Sequence, residues 1–362
     1  MRQARLLVPA GVEGVYHVVS RVVERRMAFG EEEKRHFVKL MKMYAGFSGV
    51  QVVSWCVMSN HFHMLVAVPE QGELSEATVL KRMAMIYTPA QMAEIQVKLD
   101  AHPTEDGRRR MLEPYILRMG NLGAFMKSLK QRFTQWFNRK HEGKGTLWED
   151  RYHSTIVEYQ GYSRAVVAGN REAAEVKSHA ARIVAAYIDL NPIRAGMVED
   201  PLEYTWSSYG AAVRGDKEAV SGLRALWGGI KAEALAAHRL FIFEEGSEEK
   251  TEDFETEDRR RENTGKRRGG FQDPKTGEAK ARVGIDAKKV WAERQRGGRL
   301  PLAVMLRLRV RYLTDGAVIG SKEFVEKITG SGGEAKSGKP MCFGEWGGLH
   351  ALRNLRRTVV GP

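Results

Sequence analysis

Cysteine is nearly absent from this sequence: Cys56 and Cys342 are the two it contains, far apart and in unlike contexts. That excludes a disulfide framework and suits a reducing compartment. Long apolar runs are missing too, so no stretch spans a bilayer. The opening residues 1–10 have too short an apolar segment for a secretory signal. No basic amphipathic anchor or lipidation signal stands out, and no internal repeat is visible. A cytoplasmic setting without a membrane partner is expected. Acidic residues are the minority charge: 58 Lys and Arg against 45 Asp and Glu leave +13 over 362 residues. An excess of that size favours a polyanion, most often nucleic acid, and with it a nucleoid-associated location.

What is present centres on Trp55-Cys-Val-Met-Ser-Asn-His-Phe-His-Met-Leu-Val-Ala-Val68. It reads as two apolar strands joined by a tight turn at Ser59-Asn60. Side chains alternate along a strand, so His61 and His63 share one face, while Phe62, Met64, Val66 and Val68 form a core-facing row on the other. Two imidazoles fixed side by side on a rigid strand are two-thirds of a metal site. The spacing alone is equally compatible with an exposed strand face that happens to hold two histidines.

In chain order, Val15 to Arg21 is β-branched and aromatic and predicts a first strand. Glu31 to Phe47 predicts a helix, acidic at its start, with Phe37, Leu40, Met41 and Tyr44 at helical spacing. Strand, helix, strand, strand is half of a ferredoxin-like sheet, so the expected class is α+β: an antiparallel sheet with helices on one face. Residues 70–120 are helical in composition, including Arg108-Arg-Arg110, and predict a helical insertion. Leu122 to His141 predicts a strong amphipathic helix with Phe125, Leu129, Phe133, Trp136 and Phe137 on its apolar stripe. Thr146 to Val157 reads as a loop entering a strand. Glu172 to Leu190 predicts a second helix stopped at Asn191-Pro192, since proline cannot continue it. The character of the chain changes after Tyr209, so a first region is expected over 5–210. An acidic run at 244–258 followed by a basic run at 259–268 predicts a charged flexible linker over 244–286. A basic helical region is expected over 287–362, with Ser321 capping a helix that runs to Ile328 and Leu302 to Leu313 alternating apolar residues with arginine.

A two-histidine half-site needs a third ligand and a nucleophile. Tyr187 and Asn191 are four residues apart and share a helical face. An Asn carbonyl can complete a mixed N/O site for Mg²⁺ or Mn²⁺. A phenol with a free pKa near 10 is a poor nucleophile, and a divalent cation offsets this by stabilising charge on the phosphoryl group. On its own, Tyr187 reads as an ordinary helix tyrosine with its ring in the core, and only the histidines give it another role.

Several ordered motifs then narrow the reading: Tyr16-His-Val-Val-Ser-Arg21; Val57-Met-Ser-Asn-His-Phe-His-Met-Leu65; Phe125-Met-Lys-Ser-Leu-Lys-Gln-Arg132; Gly145-Thr-Leu-Trp-Glu-Asp-Arg151; Tyr187-Ile-Asp-Leu-Asn-Pro-Ile-Arg-Ala-Gly196; and Trp206-Ser-Ser-Tyr209. Together they resemble the single-tyrosine HUH transposases, and within them the REP-associated tyrosine transposase branch. The resemblance implies a ferredoxin-like catalytic domain that cleaves and rejoins single-stranded DNA beside a hairpin through a 5′-phosphotyrosine. It implies His61, His63 and Asn191 as metal ligands, Tyr187 as nucleophile, and a homodimer. Arg194, Arg151, Lys130, Arg132, Arg139 and Lys140 are candidates to hold the DNA backbone. His153 stands where many relatives have lysine. Phe133 and Trp136 occupy positions often held by tyrosine, which leaves Tyr187 as the better nucleophile. Two other classes remain open: a domesticated protein that binds DNA or RNA hairpins without cutting, and a relaxase-like or replication-initiator-like nickase.

Overall fold

The structure, a computed structural model, describes residues 13–70, 72–159, 171–246 and 316–330, with short pieces at 271–272, 279–280, 341–342 and 349–353 and a few single positions. Strand β1 (Gly14–Arg21) leads through helix α1 (Glu31–Ser48) to the hairpin of β2 (Gln51–Val57) and β3 (His61–Val68). Helices α2 (Glu76–Met83), α3 (Pro89–Asp100) and α4 (Glu105–Ile116) follow, then α5 (Leu122–Lys140) and β4 (His153–Val157). β1 lies between β3 and β4, antiparallel to both, and β2 flanks β3, so the order is β2-β3-β1-β4. With α1 and α5 as its crossing helices, this is the ferredoxin-like arrangement.

The two-residue strand period divides the sheet into two faces. On one, Val18, Phe62, Met64 and Val66 pack with Phe37 and Met41 of α1 and with Phe125, Leu129 and Phe133 of α5. Phe37, Phe62, Phe125 and Phe133 are fully buried, each worth about 1.5–3 kcal/mol relative to exposure. The rings of Phe37 and Phe133 meet edge-to-face at 5.2 Å, so the predicted apolar stripe of α5 is core.

The other face, expected to be open above the histidines, is covered as well. Val15, Leu65 and Ala67 meet Ala181, Val184, Tyr187 and Ile188 of α6 (Arg171–Arg194). Beyond α6 come α7 (Ser208–Val213), α8 (Lys217–Trp227) and α9 (Lys231–Glu245). α8 lies directly on β2: a Cβ at Gly222 would stand 2.1 Å from the carbonyl oxygen of Val53.

α6 does not stop before Pro192; it continues to Arg194 with the proline inside. Proline has no N–H to offer the Ile188 carbonyl one turn back. The side chain of Asn191 supplies the missing donor, its Nδ2 reaching the carbonyls of Ile188 at 3.2 Å and Tyr187 at 2.9 Å. The helix then ends where Gly196 turns left-handed at φ 61°, its N–H donating to Ile193 O at 2.7 Å.

The insertion is helical, with Ser75, Thr88 and Thr104 capping its three helices. Its arginines are bound internally: Arg108 Nε donates to Glu76 at 2.7 Å, and Arg109 pairs with Glu73. Most of 244–286, and residues 302–313, lie outside the described residues. The described part of 287–362 corrects the helical expectation. It holds β7 (Gly316–Ser321), α10 (Lys322–Gly330), β8 (Met341–Cys342) and β9 (Leu349–Arg353) as well as the β5 (Phe271–Gln272) and β6 (Ala279–Lys280) hairpin before it. β-branched Val318 and Ile319 pair in parallel with Ile156 and Val157, extending the sheet beyond β4. Ser321 does cap the helix, accepting from Phe324 N at 3.2 Å. Among the described residues no helix is long and apolar enough to cross a membrane.

Candidate active site

The β1–β3 register sets Val19 opposite His63 and Arg21 opposite His61. β1 therefore contributes His17 and Arg21 to the same face as the two histidines. The His61 and His63 rings lie 5.0 Å apart at 79°. His17 stacks on His63 at 5.3 Å, with its Nε2 3.1 Å from His63 Nδ1. On the other strand of this face, Val19 is opposite His153, which is exposed.

α6 brings the second half of the site. The Tyr187 ring, 5% exposed, stands edge-on to His63 at 5.7 Å and to His17 at 5.9 Å. The Arg194 guanidinium sits over its face, 5.1 Å from the centroid. Asn191 is one turn beyond Tyr187, and its amide nitrogen is occupied by the helix carbonyls.

A buried network ties this helix down. Asp189, wholly buried, accepts from His238 Nε2 at 2.9 Å, from Ser208 Oγ at 3.2 Å and from the Tyr209 N–H at 3.2 Å. Trp227 Nε1 donates to His238 Nδ1 at 3.1 Å, and Ser208 Oγ reaches Ser54 Oγ of β2 at 3.0 Å. The Trp206-Ser-Ser-Tyr209 motif is thus a clamp between α6 and β2. Trp206 O accepts from Val57 N at 2.8 Å in the same place.

Electrostatics keep the imidazoles neutral. Burial, with the Arg21 charge added, pushes His61 down to about 3. Burial among His61, His17, Arg21 and Arg194 holds His63 well below the ordinary histidine range. Neutral rings offer the lone pairs that a cation needs. Among the described residues no three His, Cys, Asp or Glu side chains are grouped to hold a metal. The ligands expected from the sequence, two imidazoles and the Asn191 amide, are a mixed N/O set of the kind that suits a hard divalent ion.

Of the expected site residues, His61, His63, Tyr187 and Arg194 come together, with Asn191 adjacent. The α5 group does not. Its buried side chains belong to the opposite face of the sheet, and several of its charges are engaged there. Lys130 Nζ donates to Asp150 O at 2.9 Å, Arg132 Nε to Tyr44 Oη at 3.1 Å, and Lys140 Nζ to Glu33 at 2.7 Å. Arg139 lies on that same helix, and Arg151 is exposed in the loop before β4. His17 and Arg21 are the site residues that sequence reasoning passed over. Their signal was the strand alternation of β1, which becomes informative once its register against β3 is known.

Comparison with known proteins finds one family model and a solved structure. The family model for IS200-like transposases matches residues 12–88, which span β1 to α2 and include His17, Asn60, His61 and His63. Tyr187 and Asn191 lie beyond the matched stretch. No curated protein matches the chain. Among solved structures, a REP-associated tyrosine transposase bound to a REP hairpin is similar over 59% of this chain and 87% of its own. Its identity is 12% and its TM-score 0.31. Over residues 12–88, and so over the strands that carry its histidine cluster, this chain is similar to the IS200-like transposases.

Proposed function

We propose that this protein is a divalent-metal-dependent transposase that cleaves and rejoins single-stranded DNA beside a hairpin. The observation that carries the reading is the approach of the Tyr187 ring to His63, which joins a helix and a strand far apart in sequence. Tyr187 Oη attacks the phosphodiester: the new O–P bond gives a 5′-phosphotyrosine, the P–O3′ bond breaks, the phenol gives up its proton to solvent, and the leaving oxygen takes one from solvent to become a 3′-hydroxyl. The bond energy is kept in the ester, so a second 3′-hydroxyl reverses the step onto a new end without a nucleotide cofactor. His61, His63 and the Asn191 carbonyl would hold Mg²⁺ or Mn²⁺, which supplies Lewis-acid stabilisation of the phosphoryl oxygens when bound. Arg194 and Arg21 flank that position with fixed positive charge and are suited to orient the strand through its phosphates. A DNA substrate fits the +13 balance and a place at the nucleoid.

The test is incubation of the full chain with an end-labelled hairpin oligonucleotide bearing a single-stranded flank, in Mn²⁺, followed by a denaturing gel. A covalent adduct that requires Tyr187 supports the reading. Binding without an adduct would move the protein to the class of non-cutting hairpin binders. Nicking without rejoining would move it to the nickases.

A further inference from the structure

We propose that Asn60 and His17 are the positioning residues of this histidine pair, each engaging an Nδ1 so that His61 and His63 both present Nε2 to the metal. The inference rests on the metal-site reading above and adds the groups that would fix the ligands' tautomers.

At His61 the hydrogen-bond logic is closed. A backbone carbonyl only accepts, so the Asn60 side-chain atom 2.9 Å from Arg25 O is the amide nitrogen. That fixes the amide and turns Oδ1 towards His61 Nδ1, at 2.6 Å. An amide oxygen also only accepts, so Nδ1 carries the ring proton and Nε2 keeps its lone pair. The carbonyl that anchors Asn60 comes from an unusual turn: Glu24 and Arg25 both adopt left-handed backbone, at φ 58° and 56°, without being glycine. Such conformations persist where surrounding structure demands them, and they concentrate at functional sites. The Asn60 backbone is held as well, its carbonyl accepting from Val22 N at 2.8 Å.

At His63 the partner is His17, with its Nε2 3.1 Å from His63 Nδ1. Two neutral imidazoles meeting in this way share a single proton. When it is on His63, His17 Nε2 accepts and His63 Nε2 is free, the same polarity as at His61. A cation approaching Nε2 selects that arrangement. His17 is 1% exposed and stacked on His63, which keeps the acceptor in place. Partners that fix a ligand's tautomer and orientation are worth about 10–100-fold in metal affinity.

The experiment is Mn²⁺ titration of the full-length protein, with free Mn²⁺ read by electron paramagnetic resonance. Asn60→Ala and His17→Phe should each weaken binding about 10–100-fold. His17→Gln, which returns an acceptor oxygen, should recover most of it, and Asn60→Asp, which keeps the acceptor for His61 but loses the donor to Arg25 O, should recover part. The double variant His61→Ala/His63→Ala tests the site itself. If it binds Mn²⁺ as tightly as wild type, the metal-site reading fails. If it loses binding while Asn60→Ala and His17→Phe keep wild-type affinity, the positioning role alone is overturned. A second measurement needs no substitution: long-range ¹H–¹⁵N correlation of the metal-free protein should find His61 protonated at Nδ1. Protonation at Nε2 would overturn the proposal even where a His17 variant fails to fold.

Discussion

Asn191 Nδ2 lies 3.2 Å from the carbonyl oxygen of Ile188, the acceptor that Pro192 cannot serve. One side chain therefore mends the helix with its nitrogen while its oxygen is the atom proposed for the metal. The two duties can be separated by substitution. Asn191→Asp keeps an oxygen but loses the donor, and should destabilise the fold by about 1–3 kcal/mol while retaining Mn²⁺ binding. Asn191→Ala should lose both. Chemical denaturation together with metal titration checks the pair; an Asp variant as stable as wild type would refute the repair role.

Tyr187→Phe removes only the phenolic oxygen from a ring that is already packed. Adduct formation should fall to background, with stability within about 1 kcal/mol of wild type and hairpin binding nearly unchanged. Persistence of the adduct would assign the nucleophile elsewhere.

The two faces of the sheet give a prediction about charge. Arg21→Gln and Arg194→Gln should weaken single-stranded DNA binding and flatten its salt dependence by about 0.7 in log–log slope for each phosphate that is no longer neutralised. Neutralising Lys130, Arg132 and Lys140, which sit across the sheet from Tyr187, should change that slope much less. A larger effect from the α5 set would mean that DNA wraps onto the second face.

These outcomes also mark how far the sequence could be read. The hairpin, α1 and α5 were legible because their apolar periods are strong and local. The roles of His17 and Asn60 were not: one depends on which residue of β3 lies beside β1, the other on a carbonyl presented by the turn after β1. Pro192 read as a stop because a missing donor normally ends a helix, and only a neighbouring side chain reversed it. The basic stripe of α5 was visible, but not the face of the sheet that would receive it. β7 was missed because its partner, β4, is distant in sequence and the strand itself is short.

Glu33 offers a test by pH. Burial alone would raise its pKa, but hydrogen bonds from Lys140 and His141 outweigh that and hold the carboxyl below the ordinary range. A depressed carboxyl contributes stability above its unfolded pKa, near 4.3, and loses it as pH falls through the folded value. The stability gap between wild type and Glu33→Gln should therefore be widest near neutrality and close as the medium is acidified below about pH 4. Thermal melts across pH 3–7 measure it; a gap that is constant over this range would show that the pairing contributes nothing.

The parallel pairing of β4 with β7 also sets an order of events during synthesis. The ribosome releases β4 long before Val318 and Ile319 emerge to cover it. In that interval β4 is a bare edge, with a row of free N–H and C=O groups ready to pair with a strand from another chain. A nascent or truncated protein lacking 316–321 should therefore be prone to aggregate even with β1, β2 and β3 complete, and the segment 316–321 serves the sheet as its own cover.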